Sequence, residues 1–327
     1  MDIRDRVGLK QRAAQLLQTA SYDPKKLTLL HGAVIIGLSL LISLMSVLLS
    51  YGIDSTGGLG GIGTRNLLET LQSMLQLAYS LLMPFWQVGI LFAFLCVIRQ
   101  QAAGPHTLLR GFHRFGPVLR LMLTEGIVYF LLAMACAYVS SFLAMGFSTR
   151  LYTLLEPVAM AMMEDPNADP YILIEQIPID QLLQAMAPML LVFAVLYLAV
   201  LVFLGYRLRF ANYLVLDEPG LGAFAAIGKS FQLTRGNCMA LFRLDLSFWV
   251  YYALQVVVSV VAYPDSLLAI MGIGLPMDAP WFSLIVYGIY GACVLALDYF
   301  MRPQIEATYA LAYDSLRNPP PAIIEDL

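Results

Sequence analysis

Six long apolar runs, at 28–51, 72–98, 121–147, 188–206, 246–263 and 281–297, alternate with short polar stretches along the chain. A helix that crosses a bilayer needs about 20 apolar residues, because backbone amides in lipid must find their partners within their own segment. Each run comes close to that length or exceeds it. Inside them only His31, near the start of the first, and Glu125, near the start of the third, are ionisable. The pattern predicts an all-α, polytopic membrane helix bundle of about six transmembrane helices.

The polar stretches carry their own pattern. Before the first, third and fifth runs come 9–17, 107–116 and 226–237, each mixing basic and apolar residues in the manner of a short interfacial amphipathic helix. Either a threefold repeat of interfacial helix plus hairpin or the ordinary chemistry of a loop re-entering a membrane accounts for this likeness. The longest connection, 149–187, sets Glu156, Glu164, Asp165, Asp169, Glu175 and Asp180 against Arg150 alone, and is cut by Pro157, Pro166, Pro170 and Pro178. Apolar residues such as Tyr171, Ile174 and Leu182 among those acids predict short helices lying on the membrane surface. The expected organisation is an amphipathic N-terminal segment 1–27, a six-span membrane domain 28–301 with an elbow at 207–243, and a C-terminal helix and tail 302–327.

Composition agrees: 60% of residues are apolar and 13% charged, which excludes a water-soluble chain. Position matters more than the net charge of −3, which makes no case for nucleic acid. Of 19 Lys and Arg, 6 precede the first run, 4 lie in 99–120, 5 in 207–243 and 2 after the sixth run, leaving only Arg65 and Arg150 on the other side. Positive charge marks the cytoplasmic side, so both termini are expected in the cytoplasm. The first run lies too far from the N-terminus, with no small-residue cleavage site before it, for a removed signal peptide, and should remain as an anchor.

Motifs of soluble chemistry are weak here. Gly58 to Gly63 spells G-x-G-x-x-G, but that fingerprint works only between a strand and a helix, so a Gly-rich loop is the reading. Asp165, Asn167 and Asp169 open like a calcium loop, yet Pro170 stands where glycine is needed and Gln176 where the closing acid belongs. His106 and His113 lack a third ligand, and Cys96, Cys136, Cys238 and Cys293 are scattered. No metal or cofactor is expected.

The charges at the inner ends of the spans are the candidate site. Glu125, Asp245 and Asp298 lie near such ends, with Arg207 and Arg209 at a similar depth and Arg302 one turn beyond Asp298. An acid there is sustained only by pairing or by water. Two expectations follow: ion pairs that pin helix ends, or convergence on a cavity open to the cytoplasm.

The stretch 206–249 resembles a family of uncharacterised bacterial multi-pass membrane proteins known as domain of unknown function, family 975. The residues that carry the likeness are Tyr206-Arg207-Leu208, Ala211-Asn212-Tyr213, Asp217-Glu218-Pro219, Lys229-Ser230, Arg235-Gly236-Asn237 and Leu244 to Trp249, with Ala307 to Tyr313 resembling the family's closing helix. Arg302-Pro303 and the long acidic connection depart from its pattern. The resemblance implies a bacterial inner-membrane protein and no activity. A fainter similarity, to membrane regions that precede glycerophosphodiester phosphodiesterase domains, hints at lipid headgroup chemistry. From the residues, Asp217, Glu218 and Pro219 turn the chain and Gly236-Asn237 caps a short helix, forming an elbow. The leading expectation is a non-enzymatic protein whose partners are membrane lipids or another membrane protein. A small transporter using the acidic cluster and a lipid-modifying enzyme are the alternatives.

Overall fold

A computed structural model describes residues 3–55, 62–145, 149–164, 177–262 and 280–318. Every regular element among them is helical. The calcium-like stretch 165–176 and Gly58 to Gly61 lie outside the described residues.

The helices run α1 Arg6–Gln18, α2 Pro24–Ser55, α3 Ile62–Ile98, α4 Arg110–His113, α5 Phe115–Met145, α6 Thr149–Glu164, α7 Ile179–Leu208, α8 Ala211–Asp217, α9 Ala223–Thr234, α10 Cys238–Leu246, α11 Trp249–Ala262 and α12 Pro280–Arg317. Five are long and apolar enough to cross a membrane, or six if α10 and α11 form one span bent by 63°. The chain is a multi-pass membrane protein. Short helices precede the first, third and fifth spans, and α6 occupies the start of the acidic connection.

The described residues form two compact units, one of 1–122 with 208–327 and one of 123–207. In the first, α12 packs along α2 and α3, with small residues at the crossings. A Cβ on Gly32 would meet Leu295 at 2.8 Å and one on Gly291 would meet Ile36 at 2.6 Å, so glycine lets these helices approach. Tighter still is the seam between α3 and the 3-10 turn Pro105–Leu109 with α4. There a Cβ on Gly89 would overlap the Leu108 carbonyl and one on Gly111 the Phe85 carbonyl, while the Phe85 ring stacks on Phe115 at 4.7 Å.

α1 starts where the Asp5 carboxylate accepts from the Gly8 amide at 2.9 Å, and it buries Leu9 and Ala13. It also serves the bend. Between α10 and α11 the helical ladder is interrupted, and Lys10 Nζ donates to the freed Ser247 carbonyl at 3.1 Å while lying 4.2 Å above the Phe248 ring. A cation at a helix C-terminus complements the exposed carbonyls and the dipole. Burial, with Arg6 nearby, holds the Lys10 ammonium below its ordinary range.

The second unit comprises most of α5, then α6 and α7. Ser140 and Ser141 turn their hydroxyls back onto the Ala137 carbonyl, and Phe193 stacks on Tyr197.

Candidate functional site

The site is organised by one face of α12. Asp298, Arg302, Glu306, Tyr309, Tyr313 and Arg317 follow one another three or four residues apart, which aligns them along the helix. At 1.5 Å per residue α12 is about 57 Å long, far more than a bilayer core requires, so its C-terminal half has length to spare for packing against the short helices.

Asp298, 3% exposed, accepts from Arg302 Nη1 at 2.8 Å and from the Tyr251 hydroxyl at 2.9 Å. Arg302 also donates to Glu306 at 3.1 Å and to Gln87 of α3 at 3.0 Å. Toward the C-terminus, Asp245 accepts from Arg209 Nη1 at 2.8 Å and from the Tyr309 hydroxyl at 2.7 Å, and Tyr309 shares a 2.8 Å hydrogen bond with Tyr252. The Arg209 guanidinium lies 4.0 Å over the Tyr309 ring. Asp245 closes α10, Tyr252 opens α11 and Tyr309 lies on α12, so this network spans the bend.

A second network ties the elbow down. Asp217 takes a two-pronged contact from Arg99 at 2.6 and 3.0 Å, which also reaches Asp314 at 2.7 Å. Asp217 is paired with Arg317 as well, and accepts from the Tyr313 hydroxyl. Glu218 pairs with Lys229 and Arg317. The chain then turns: the Leu221 amide donates to the Glu218 carbonyl at 3.2 Å, with Pro219 second and Gly220, at φ +95°, third, the residue choice of a type II turn. Gly236 takes φ +79° between α9 and α10, whereas Asn237 stays right-handed at φ −110° and donates its side-chain Nδ2 to the Leu233 carbonyl.

The first unit therefore holds Asp245, Asp298, Arg209 and the elbow residues Asp217, Glu218, Pro219, Gly236 and Asn237. Glu125 and Arg207 belong to the second unit, where Arg207 lies 5.5 Å over the Phe203 ring and Glu125 Oε1 is buried with no hydrogen-bond partner among the described residues. Sequence spacing announced the pair Asp298–Arg302. It missed Asp314, Arg317 and the tyrosines at 251, 252, 309 and 313, although the polar stripe of α12 was a readable signal.

Beside the second network lies a groove of about 500 Å³ lined by Glu218, Lys229, Gln232, Arg235, Asn237, Ser315 and Arg317 with Leu214, Leu233 and Leu316. Among the described residues no group of three His, Cys, Asp or Glu side chains is placed to hold a metal.

The family described as Protein of unknown function (DUF975) matches residues 1–318. The chain belongs to it. No curated protein and no solved structure matches the chain. In this DUF975 member, residues quoted for the family resemblance have defined places: Asp217 and Glu218 anchor α8 to α12, Ser230 accepts from the Phe210 amide at 3.2 Å, and Asp245 holds the bend.

Proposed function

We propose that this protein is a non-enzymatic component of the bacterial inner membrane, with both termini in the cytoplasm, that binds the phosphate headgroup of a membrane lipid at the elbow. The observation that carries the reading is the excess of positive charge on the wall of the elbow groove. Asp217, Asp245 and Asp298 are all paired with arginines, so they serve as fasteners. The 500 Å³ groove is open beside the Asp217 network; Lys229 and Arg317 on its wall are held by Glu218 and Asp217, and Arg235, which makes no ion pair among the described residues, adds a further positive charge. A wall on which cations outnumber carboxylates suits a phosphate. α9, which forms part of the wall, carries Phe224 80% exposed, in keeping with a helix lying at a lipid surface.

Native mass spectrometry of the detergent-purified protein with phosphatidylglycerol, phosphatidylethanolamine and diacylglycerol tests this. Retention of the two phospholipids is expected to fall in Arg235→Ala and in Lys229→Ala, with diacylglycerol retention unchanged in both. Phospholipid retention unchanged in either variant, or diacylglycerol retention lost alongside it, overturns the reading.

A further inference from the structure

A separate cavity lies among α2, α3 and α12. Its volume is about 390 Å³, within the range of small-ligand sites, and its polar lining is Ser39, Ser43, Gln76, Tyr79, Tyr287 and Tyr290. Ser39 stands 13 residues beyond the basic pair Lys25-Lys26, or about 20 Å along the helix, which places it deep within a hydrocarbon core about 30 Å thick.

Polar groups at that depth need partners. Ser39 and Tyr79 satisfy each other across the α2–α3 interface with a 2.5 Å hydrogen bond. Among the described residues, the Ser43, Gln76 and Tyr290 side chains make no hydrogen bond. The same wall holds hydroxyls and one amide but no ionisable acid or base that would neutralise a charge. A phosphate or ammonium group would enter without compensation. Ile35, Ile36, Leu40, Ile42 and Val294 complete the lining with surface suited to an alkyl or prenyl chain. Gln76 is exposed and Tyr287 is 37% exposed, so the polar rim is reachable from the bilayer.

We infer that this cavity binds a membrane amphiphile through an uncharged, oxygen-bearing headgroup. A diacylglycerol and an isoprenoid quinone share that chemistry, each presenting hydroxyl or carbonyl oxygens to Ser39, Ser43, Gln76 and the tyrosine hydroxyls. The site differs from the elbow groove in its residues and in the charge it accepts.

The test uses the full chain in phosphatidylcholine nanodiscs with a dioleoylglycerol carrying a photoreactive diazirine beside its glycerol. Crosslinks are expected on peptides of α2, α3 and α12. Unlabelled dioleoylglycerol or decylubiquinone should compete, and which of them does so identifies the source, while dioleoylphosphatidic acid should not. The double variant Ser39→Ala with Gln76→Leu should lower labelling by about fivefold, the scale of losing one or two hydrogen bonds. Tyr287→Phe, which keeps the ring, should lower it in the same direction. Arg235→Ala, at the elbow, should leave it unchanged, so failure here is distinct from failure of the headgroup reading above. Equal competition by phosphatidic acid, crosslinks elsewhere, or undiminished labelling of both cavity variants overturns the inference.

Discussion

At Gly89 and Gly111 a single added methyl group would do most damage. Each faces a backbone carbonyl, on Leu108 and Phe85, that is held by its own helix or turn and has no rotamer to change. Ala at either position forces α3 away from the turn before α5, a steric cost of about 1–3 kcal/mol. Gly228, in α9, has nothing within 4 Å of a built Cβ, so Ala there gains about 1 kcal/mol of helix propensity instead. Thermal unfolding in detergent should place Gly89→Ala and Gly111→Ala below the parent, and Gly228→Ala at or above it. The opposite order would mean that the close approach is not maintained. His31, singled out by its type within the first apolar run, is 0% exposed and stacks on Trp86 at 6.0 Å. Its charge class marked it in the sequence, but its partner, 55 residues away, did not.

At the scale of elements, the spans were legible because lipid leaves a crossing segment so little choice of composition and length. The bend was not. Apolar residues continue through Leu246, Phe248 and Trp249, and the interruption shows only in the hydrogen bonds that Lys10, Ser247 and Phe248 make around it. Most of the site's partners were illegible for the same reason: Arg99 meets Asp217 and Asp314 across 118 and 215 residues, and no local pattern encodes such a meeting. Asp298 and Arg302, one turn apart on one helix, were readable from spacing alone. The Arg209–Asp245 pair at the bend gives an element-scale prediction. Both side chains are 20% exposed, so each is partly withdrawn from water and depends on the other. Removing one partner of such a pair strands the remaining charge, whereas removing both does not. Asp245→Asn should lower the thermal midpoint more than the double change Asp245→Asn with Arg209→Met. Equal losses would show that the pair contributes no mutual stabilisation.

For the whole molecule, the proposed orientation rests on the distribution of basic residues, which puts 17 of 19 on one side of an alternating six-span chain. The count of spans depends on α10 and α11. If they cross together as one bent span, there are six and the termini share a side, as the pairs of Arg317 with Asp217 and of Asp314 with Arg99 at the end of α12 require; five spans would part the termini and break those pairs. Positive-inside bias favours the first arrangement, because Arg302 and Arg317 would otherwise sit opposite the other basic clusters. Membrane-impermeant thiol labelling of intact cells separates the two. In a background with the four native cysteines replaced, probes go at Met163 in α6, 82% exposed, at Phe224 in α9, 80% exposed, and at Asn318 just past α12. Labelling at Met163→Cys alone is expected. Labelling at Asn318→Cys as well, with Phe224→Cys unlabelled, would part Arg317 from Asp217 and Glu218 and so overturn both the six-span count and the second network. Labelling at Phe224→Cys in place of Met163→Cys would invert the protein and remove the elbow groove from the anionic cytoplasmic leaflet that the headgroup reading requires.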